Sequence, residues 1–210
     1  MVSERRIGAP DAKNRTVLLD AAEQLMLEEG YTAVTSRRVA RAAGLKSQLV
    51  HYYFGTMDEL FLALFERRAE EGLKSQRELL DSERPLRALW EFSTDGTGAA
   101  FTTELTALAN HRPAIRAEVL RYAEKFRAMQ VESVTEILRR YRISPQACPP
   151  AVLVVLMAAI GRVLGLEDNL GLSLGHDDAI GWLTTFIDEV EGDGRAAGKT
   201  RRATRKVALI

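Results

Sequence analysis

The spacing of apolar residues along the chain is typical of amphipathic helices. The segment 15–29 shows it most clearly, with apolar side chains at intervals of three and four residues. These side chains are Leu18, Ala21, Ala22, Leu25 and Met26. Gly30 follows and can end the helix, because glycine tolerates the left-handed conformation of a helix C-terminus. The sequence shows no sustained two-residue alternation bounded by hairpin turns, so the pattern predicts an all-α fold.

Glycine and proline residues divide the chain into a series of such helices. The predicted helices cover residues 15–29, 37–43, 47–54, 56 to about 80, 85 onward, 101–110, 113 to about 142, 151–166 and 178–191. The predicted breaks and loops are residues 94–98, 143–150 and 167–178. The first three helices are short and the later ones are long, which indicates a boundary near Thr56.

Charge is unevenly distributed along a chain that is neutral as a whole, with 29 basic and 29 acidic residues. No aspartate or glutamate lies between positions 30 and 57. The basic residues in that segment are Arg37, Arg38, Arg41 and Lys46. Further basic residues follow position 193. A basic patch of this kind predicts an anionic partner that one end of the chain meets.

Composition and hydropathy indicate a soluble protein of a reducing compartment. Cys148 is the single cysteine of the 210 residues, so an internal disulfide framework is excluded. The first residues lack the apolar core of a signal peptide. The most hydrophobic stretch, 151–160, is followed by Arg162 and is shorter than the roughly 20 residues of a membrane span. We therefore expect a cytoplasmic protein without a membrane partner.

The helices 37–43 and 47–54, joined by a turn that contains Gly44, have the pattern of a helix-turn-helix. The second helix of this motif lies in the major groove of DNA with its N-terminal residues at base edges. Acidic side chains there would repel phosphate, whereas small, polar and aromatic ones fit. The outward residues of the second helix are Ser47, Gln48, His51 and Tyr52. The residues that can point back to the first helix are Leu49, Val50 and Phe54.

Each candidate contact in the second helix also has a purely structural alternative. Gln48 either reads a base edge or is simply solvated. His51 is either a groove contact or an ordinary surface or core histidine. Of Tyr52 and Tyr53, we expect one to pack and the other to place its hydroxyl on a phosphate.

The first helix of the motif offers phosphate contacts. Thr35 or Ser36 can cap it, and a capped helix N-terminus also binds phosphate. Arg37 and Arg38 are expected to contact phosphate or to form a solvated face, and Arg37 can also enter the groove. Lys46 is expected to bind phosphate as a point charge. The complete set of predicted DNA-binding residues is Thr35, Ser36, Arg37, Lys46, Ser47, Gln48, His51, Tyr52 and Tyr53.

Residues 15–64 resemble the N-terminal domain of the TetR (tetracycline-repressor-type) family of bacterial transcriptional regulators. The resemblance is carried by LLDAAEQLMLEEGYTAVTSRRVARAAGLKSQLVHYYFGTMDEL at 18–60. Its most specific elements are Glu29-Gly30-Tyr31, the Thr35 cap, Val39-Ala40, Ala43-Gly44-Leu45, and His51-Tyr52-Tyr53-Phe54 before Gly55. It implies a repressor that a small effector releases from a palindromic double-stranded DNA operator. A DNA-binding protein of the same fold without an effector stays open as the alternative.

Helix lengths, composition and the resemblance together predict a division of the chain into four parts. These are a flexible arm (1–13), a helix-turn-helix DNA-binding domain (14–56), a helical effector-binding and dimerisation domain (57–192), and a basic disordered tail (193–210).

Two positions depart from the family pattern. Lys46 stands where a small polar residue usually caps the recognition helix, so Ser47 is expected to take that role one position later. Met57 stands where the family tends to have a lysine that meets phosphate, which should weaken sequence-independent binding. The basic tail, or Arg5, Arg6 and Lys13, can compensate for that loss.

The resemblance implies a homodimer, and two apolar faces near the C-terminus suit one. The predicted interface residues are Leu156, Ile160, Val163, Ile180, Leu183 and Ile187. The alternative is that these faces only complete the core of one subunit. Gly161, Gly165 and Gly181 would let the helices approach closely.

The resemblance further implies a pocket for a small apolar or aromatic effector between the bundle helices. The candidate lining residues are Trp90, Phe101, Leu105, Phe126, Met129 and Met157, with Asn110 and His111 as polar anchors. Each of these residues can equally be an ordinary core residue.

No enzymatic chemistry is predicted. The histidines at 51, 111 and 176 are far apart and lack a metal-ligand pattern, and no phosphate loop or nucleophile motif is present. Asp177 and Asp178 are interpreted as helix-start residues, because carboxylates favour that end of a helix. We therefore expect no catalytic residue, metal site or cofactor.

Overall fold

The computed structural model describes residues 13–94 and 96–192. Over these ranges it contains nine α-helices, one short 3-10 turn and no strand, which confirms the all-α prediction. Lys13 already belongs to the first helix. The rest of the predicted arm and the whole predicted tail lie outside the described residues.

The helices follow one another with short connections, and most begin and end close to the predicted positions. They are α1 (Lys13–Glu29), α2 (Ser36–Ala42), α3 (Gln48–Phe54), α4 (Met57–Leu80), α5 (Pro85–Ser93), α6 (Gly96–Ala109), α7 (Pro113–Arg140), α8 (Pro150–Asp168) and α9 (His176–Glu191). The 3-10 turn Tyr31–Ala33 connects α1 to α2.

Two predicted breaks are shorter than expected. The break at 94–98 was wrong from Gly96 onward, because α6 begins there. Glycine content alone does not decide whether this segment is helical, because packing against α8 also acts on it. A Cβ added to Gly165 of α8 would lie only 2.6 Å from the Cβ of Ala99. The loop predicted at 167–178 reduces to 169–175, since the preceding and following helices are both longer.

His176 holds the two ends of that shortened loop together. Its Nε2 lies 2.8 Å from a carboxylate oxygen of Glu167, and its Nδ1 lies 3.2 Å from one of Asp168. Asp177 and Asp178 occupy the first turn of α9, as the sequence predicted. The histidine is therefore a structural residue between α8 and α9.

The described residues divide into two compact units. The first contains residues 13–73 and 100–125, and the second contains 74–94, 96–99 and 126–192. The boundary predicted near Thr56 lies within the first of these units. Ion pairs join α4 to α1 within the first unit: the Arg67 guanidinium lies 2.6 Å from Asp20 and 2.7 Å from Glu23.

The first unit is organised around α1, which packs against both α2 and α3. Apolar side chains from all three helices are almost completely buried. They include Leu18, Ala22, Met26, Val39, Val50 and Phe54. Burial of this apolar stripe is what fixes the two short helices, which are too short to be stable in isolation.

The second unit has an apolar core in which α5 packs against α8 and α9. Its buried members are Leu86, Leu89, Trp90, Val134, Ile137, Leu138, Cys148, Leu153, Val154, Met157, Leu164, Leu183 and Ile187. Burial raises the pKa of the Cys148 thiol, as expected for an unreactive core cysteine.

Helix α8 approaches α5 at backbone distance. A Cβ added at Gly161 would lie 1.8 Å from the carbonyl oxygen of Ser93, so only glycine fits. Within the described residues, α8 is also the helix that is long and apolar enough to span a membrane by length and composition alone. Leu153, Val154 and Met157 of this helix are buried in the core of the second unit, whereas Val152, Val155 and Leu156 are exposed.

Candidate nucleic-acid interface

Helix α2 begins with the predicted cap. Thr35 has an extended backbone, and its hydroxyl oxygen accepts a hydrogen bond of 3.4 Å from the backbone N–H of Arg38. Ser36 is half-buried at the first helical position, and Arg37 is exposed beside it. The cap therefore fixes the orientation of the helix terminus that carries Arg37.

Gly44 makes the turn between α2 and α3. Its φ of 66° is left-handed, and two hydrogen bonds close the end of α2 around it. The Leu45 N–H donates to the Ala40 carbonyl over 2.8 Å, and the Gly44 N–H donates to the Arg41 carbonyl over 3.1 Å. This is the Schellman arrangement that positive-φ glycine favours, and it sets the angle at which the chain enters α3.

Helix α3 begins without the side-chain cap predicted at Ser47. Ser47 already has a right-handed helical backbone (φ −60°, ψ −25°), and its hydroxyl makes no cap hydrogen bond. The carbonyls of Lys46 and Ser47 instead accept hydrogen bonds from Leu49 and Val50 in a tight turn. A capping serine needs an extended backbone to reach the next N–H groups, so this prediction was wrong. The hydroxyl is left exposed at the helix start.

The two faces of α3 differ sharply in burial. Val50 and Phe54 are buried, whereas Gln48, His51 and Tyr52 are exposed and lie three and four residues apart on the opposite face. The predicted division of α3 into an inward apolar face and an outward polar face is therefore present in the fold. A rigid helix with an uncharged, hydrogen-bonding outer face suits contact with base edges.

The ring of His51 is fixed by the end of its own helix. Its Nδ1 lies 3.1 Å from the carbonyl oxygen of Gly55. Because a carbonyl can only accept, Nδ1 must carry a proton in this arrangement. In the neutral ring Nε2 is then a hydrogen-bond acceptor, and in the protonated ring it is a second donor.

The two tyrosines contact each other edge to face. Their ring centroids are 5.0 Å apart at an interplanar angle of 81°. Tyr52 is exposed and Tyr53 is half-buried, which matches the expectation that one of them packs. The contact packs the exposed ring of Tyr52 against Tyr53.

Three cations surround these residues. Arg37, Arg41 and Lys46 are exposed, and over the described residues none of them is in an ion pair. Arg38 differs, because its guanidinium is held by Glu29 of α1. The segment from α2 to the start of α3 therefore carries three exposed cations, which suits phosphate binding.

The predicted effector residues do not all lie in positions that suit a pocket. Phe101 and Leu105 are buried in the first unit, Trp90 and Met157 are buried in the second, and Phe126 and Met129 are half-buried. Asn110 and His111 are exposed in the turn between α6 and α7. Both were predicted as polar anchors of the pocket. The turn that ends α6 leaves them exposed, and their role in effector binding stays a prediction.

A buried polar residue that the sequence analysis missed is Gln76 of α4. Its side chain is completely buried. The signal was present in the sequence, since Gln76 continues the spacing of Ala69 and Leu73 and precedes Leu80 by one turn.

The predicted dimer residues separate into two groups. Leu156, Val163 and Ile180 are exposed, and Ile160 is half-buried. Leu183 and Ile187 are only 2% and 0% exposed because they fill the core of their own unit. Their assignment to a dimer interface was therefore wrong.

The exposed apolar surface on α8 and α9 does not include Leu183 and Ile187 but contains other apolar residues. On α8 it continues through Val152, Val155 and Leu166, and on α9 through Trp182, which stacks on Phe186. Gly161 and Gly165 were expected to admit a partner helix. They face Ser93 and Ala99 of their own unit instead.

Comparison with known proteins relates this surface to a family. Residues 18–64 match the family model described as bacterial regulatory proteins, tetR family. The HTH-type transcriptional regulator BetI of Rhizobium meliloti (strain 1021) is 28% identical over 123 residues, 54% of this chain and 61% of BetI. The HTH-type transcriptional regulator PksA of Bacillus subtilis (strain 168) is 31% identical over 84 residues, 38% of this chain and 41% of PksA. The chain thus spans about three fifths and two fifths of these curated relatives.

Solved structures share the fold over most of the chain. A protein from Saccharomonospora viridis in complex with choline superimposes with a TM-score of 0.67 at 19% identity, covering 83% of this chain and 95% of that chain. The transcriptional regulator FadR of Bacillus subtilis in complex with stearoyl-CoA gives 0.60 at 15% identity, covering 86% and 99%. At these identities the likeness shows the fold.

The sequence match and the fold agree with the geometry of the first unit. The matched residues 18–64 include the Thr35 cap, the Gly44 turn and the whole of α3. Over residues 18–64 the chain is thus similar to the bacterial regulatory proteins of the tetR family.

Proposed function

We propose that this chain is a sequence-specific, DNA-binding transcriptional regulator that inserts α3 into the major groove. The observation that carries the proposal is the two-faced character of α3: Val50 and Phe54 anchor it, while Gln48, His51 and Tyr52 face outward. Gln48 can pair with an adenine edge through its amide, and His51 can offer Nε2 to a base. Arg37, Arg41 and Lys46 supply the attraction to phosphate that does not depend on sequence.

The working form is a homodimer that binds a palindromic operator. A single α3 covers too few base pairs for useful specificity, whereas two copies read two half-sites. The exposed apolar stripe of α8, which includes Leu156 and Val163, supports dimerisation through this helix together with Ile180 and Trp182 of α9. An apolar surface of this kind on a soluble protein typically marks an interaction site.

The regulator acts as a repressor in the cytoplasm, and a small effector releases it from DNA. Relatives that share the fold bind small molecules, namely choline in one case and stearoyl-CoA in another. Release requires an effector that binds the free form of the protein more tightly than the DNA-bound form. The core of the second unit, with Trp90 and Met157, supports a largely apolar effector.

The test is a comparison of two glutamine variants on selected DNA. Genomic fragments bound by the purified protein are isolated, and affinity is measured by fluorescence anisotropy. Gln48→Ala is expected to lose about 1–3 kcal/mol of specific binding while non-specific binding stays the same. Gln24→Ala is the matched control, because Gln24 is exposed on α1 and bonds only Glu28 among the described residues.

Equal affinities of the two variants would contradict the role of α3. Specific DNA binding that no small molecule releases would instead favour the same fold acting without an effector.

A further inference from the structure

Gln76 of α4 is a buried amide without hydrogen-bond partners. Its side chain is 0% exposed, and within the described part of the chain neither Nε2 nor Oε1 has a partner. Burying an amide without hydrogen bonds costs free energy, and folded proteins keep few such groups. A buried polar group that the fold itself leaves unpaired needs an explanation.

Other buried polar groups of the described residues are accounted for. His176 is paired with Glu167 and Asp168. Arg67 and Arg84 each leave Nε without a hydrogen bond but pair with carboxylates through their other nitrogens. Gln76 stands apart because both of its polar atoms are unpaired.

The position of Gln76 is one where an apolar residue would ordinarily stand. Along α4 the buried positions run Ala69, Leu73 and Gln76, and the next, Leu80, packs against the apolar core of the second unit. A leucine at 76 would continue this stripe at no polar cost. The amide is therefore unfavourable for folding alone, and a ligand that pairs with it is a physical reason to keep it.

We propose that Gln76 is the polar anchor of the effector site, and that the effector is a neutral, largely apolar molecule with a carboxamide or lactam group. This inference rests on the proposed function, in which a small molecule controls DNA binding. A glutamine amide presents an acceptor oxygen beside a donor NH₂, and a carboxamide or lactam pairs with both at once. Pockets for small molecules commonly combine an apolar lining with a few such groups.

The charges where α5 meets α9 in the second unit are already paired with one another. A charged head group would need a counter-charge once it left water. Arg84 is engaged by Asp188, and Arg87 is engaged by Asp188 and Glu91. The carboxylate of Glu191, almost fully buried, accepts hydrogen bonds from the backbone N–H groups at the start of α5. Gln76 is itself neutral and supplies no counter-charge, so it favours a neutral head group.

The experiment combines stability and binding in Gln76→Leu, with Gln24→Leu as the exposed control. Without any ligand, Gln76→Leu is expected to melt at a higher temperature than the wild type, because the unpaired amide is gone. A clear fall in melting temperature would overturn the proposal, since it would mean that the amide serves the fold.

Binding is then measured by calorimetry with octanamide, octanoate and octyltrimethylammonium, which share one apolar chain. The wild type is expected to prefer octanamide, and Gln76→Leu to bind it about tenfold more weakly, the effect of losing one to two hydrogen bonds. Equal binding of octanamide by both proteins, or none by the wild type, would overturn the proposal.

DNA binding by the same preparations is measured separately. Its absence counts against the proposed function, whereas DNA binding without a preference for octanamide counts against the role of Gln76 alone.

Discussion

The carboxylate of Glu104 accepts a hydrogen bond of 2.7 Å from the backbone N–H of Tyr31. Glu104 lies on α6, and Tyr31 begins the 3-10 turn that connects α1 to α2. Gly30, with a φ of 82°, lies against the same carboxylate, since an added Cβ would be 3.3 Å from its oxygen. A residue 73 positions away in sequence thus holds the connection that places α2 and, through it, α3.

The first prediction concerns this contact. Glu104→Leu removes the acceptor and leaves the Tyr31 N–H without its partner, which should lower the free energy of unfolding by about 1–3 kcal/mol. Because α2 and α3 are then held less firmly, DNA affinity should fall as well. Glu104→Gln keeps an acceptor oxygen and should retain most of the affinity. Anisotropy titrations with operator DNA measure both variants. If the leucine variant bound DNA like the wild type, the positioning role of Glu104 would be excluded.

The second prediction concerns the turn before α3. Gly44→Ala should destabilise the protein by about 1–2 kcal/mol, because the left-handed backbone disfavours a Cβ. No atom of the described structure lies within 4 Å of the added Cβ, so crowding is not involved. Gly44→Asn is the control, since asparagine adopts this conformation more readily. In urea unfolding, Gly44→Asn should have a higher free energy of unfolding than Gly44→Ala. The reverse order would contradict the role of the left-handed backbone.

The third prediction concerns the contact of α8 with α5. Gly161→Ala places a methyl group 1.8 Å from the Ser93 carbonyl oxygen, so we expect a loss of about 3 kcal/mol or more in unfolding free energy. Gly181→Ala is the matched control on α9, where the added Cβ meets nothing within 4 Å. There the better helix propensity of alanine should stabilise by up to about 1 kcal/mol. Thermal unfolding that does not separate the two variants would show that the helices do not pack this closely.

The fourth prediction concerns the dimer. Val163, 51% exposed on α8, should be buried by the partner subunit, so Val163→Asp should give monomers in analytical ultracentrifugation. Leu120→Asp changes another exposed apolar residue, on α7, and should leave the dimer intact. Dissociation of both variants, or of neither, would place the interface elsewhere.

Local features of the fold followed from the sequence because short-range chemistry decides them. The Thr35 cap, the Gly44 turn and the burial of Val50 and Phe54 depend on neighbouring residues and on a periodicity that can be counted. The start of α6 at Gly96 did not follow, since tertiary packing there overrides the low helix propensity of glycine.

The sequence alone could not decide whether an apolar residue faces the core or an outer surface when its helix is apolar on two sides. Helix α9 carries apolar residues on two sides, and only the fold shows that Leu183 and Ile187 face the core while Trp182 faces outward. Likewise, Gly161 indicated a close helix contact but not which helix makes it. A local sequence pattern could not show that the Gln76 amide lacks hydrogen-bond partners among the described residues. That depends on which distant segments pack around it.

Hydroxyl-radical footprinting of the purified protein on a selected genomic fragment tests the central claim most directly, because it shows where each copy of α3 contacts the duplex. The account predicts two protected half-sites related by two-fold symmetry, with their centres about one helical turn or a multiple of it apart. Protection should be lost with Gln48→Ala and kept with Gln24→Ala. A single protected patch, or a footprint that Gln48→Ala leaves unchanged, would contradict the claim that paired copies of α3 read the DNA.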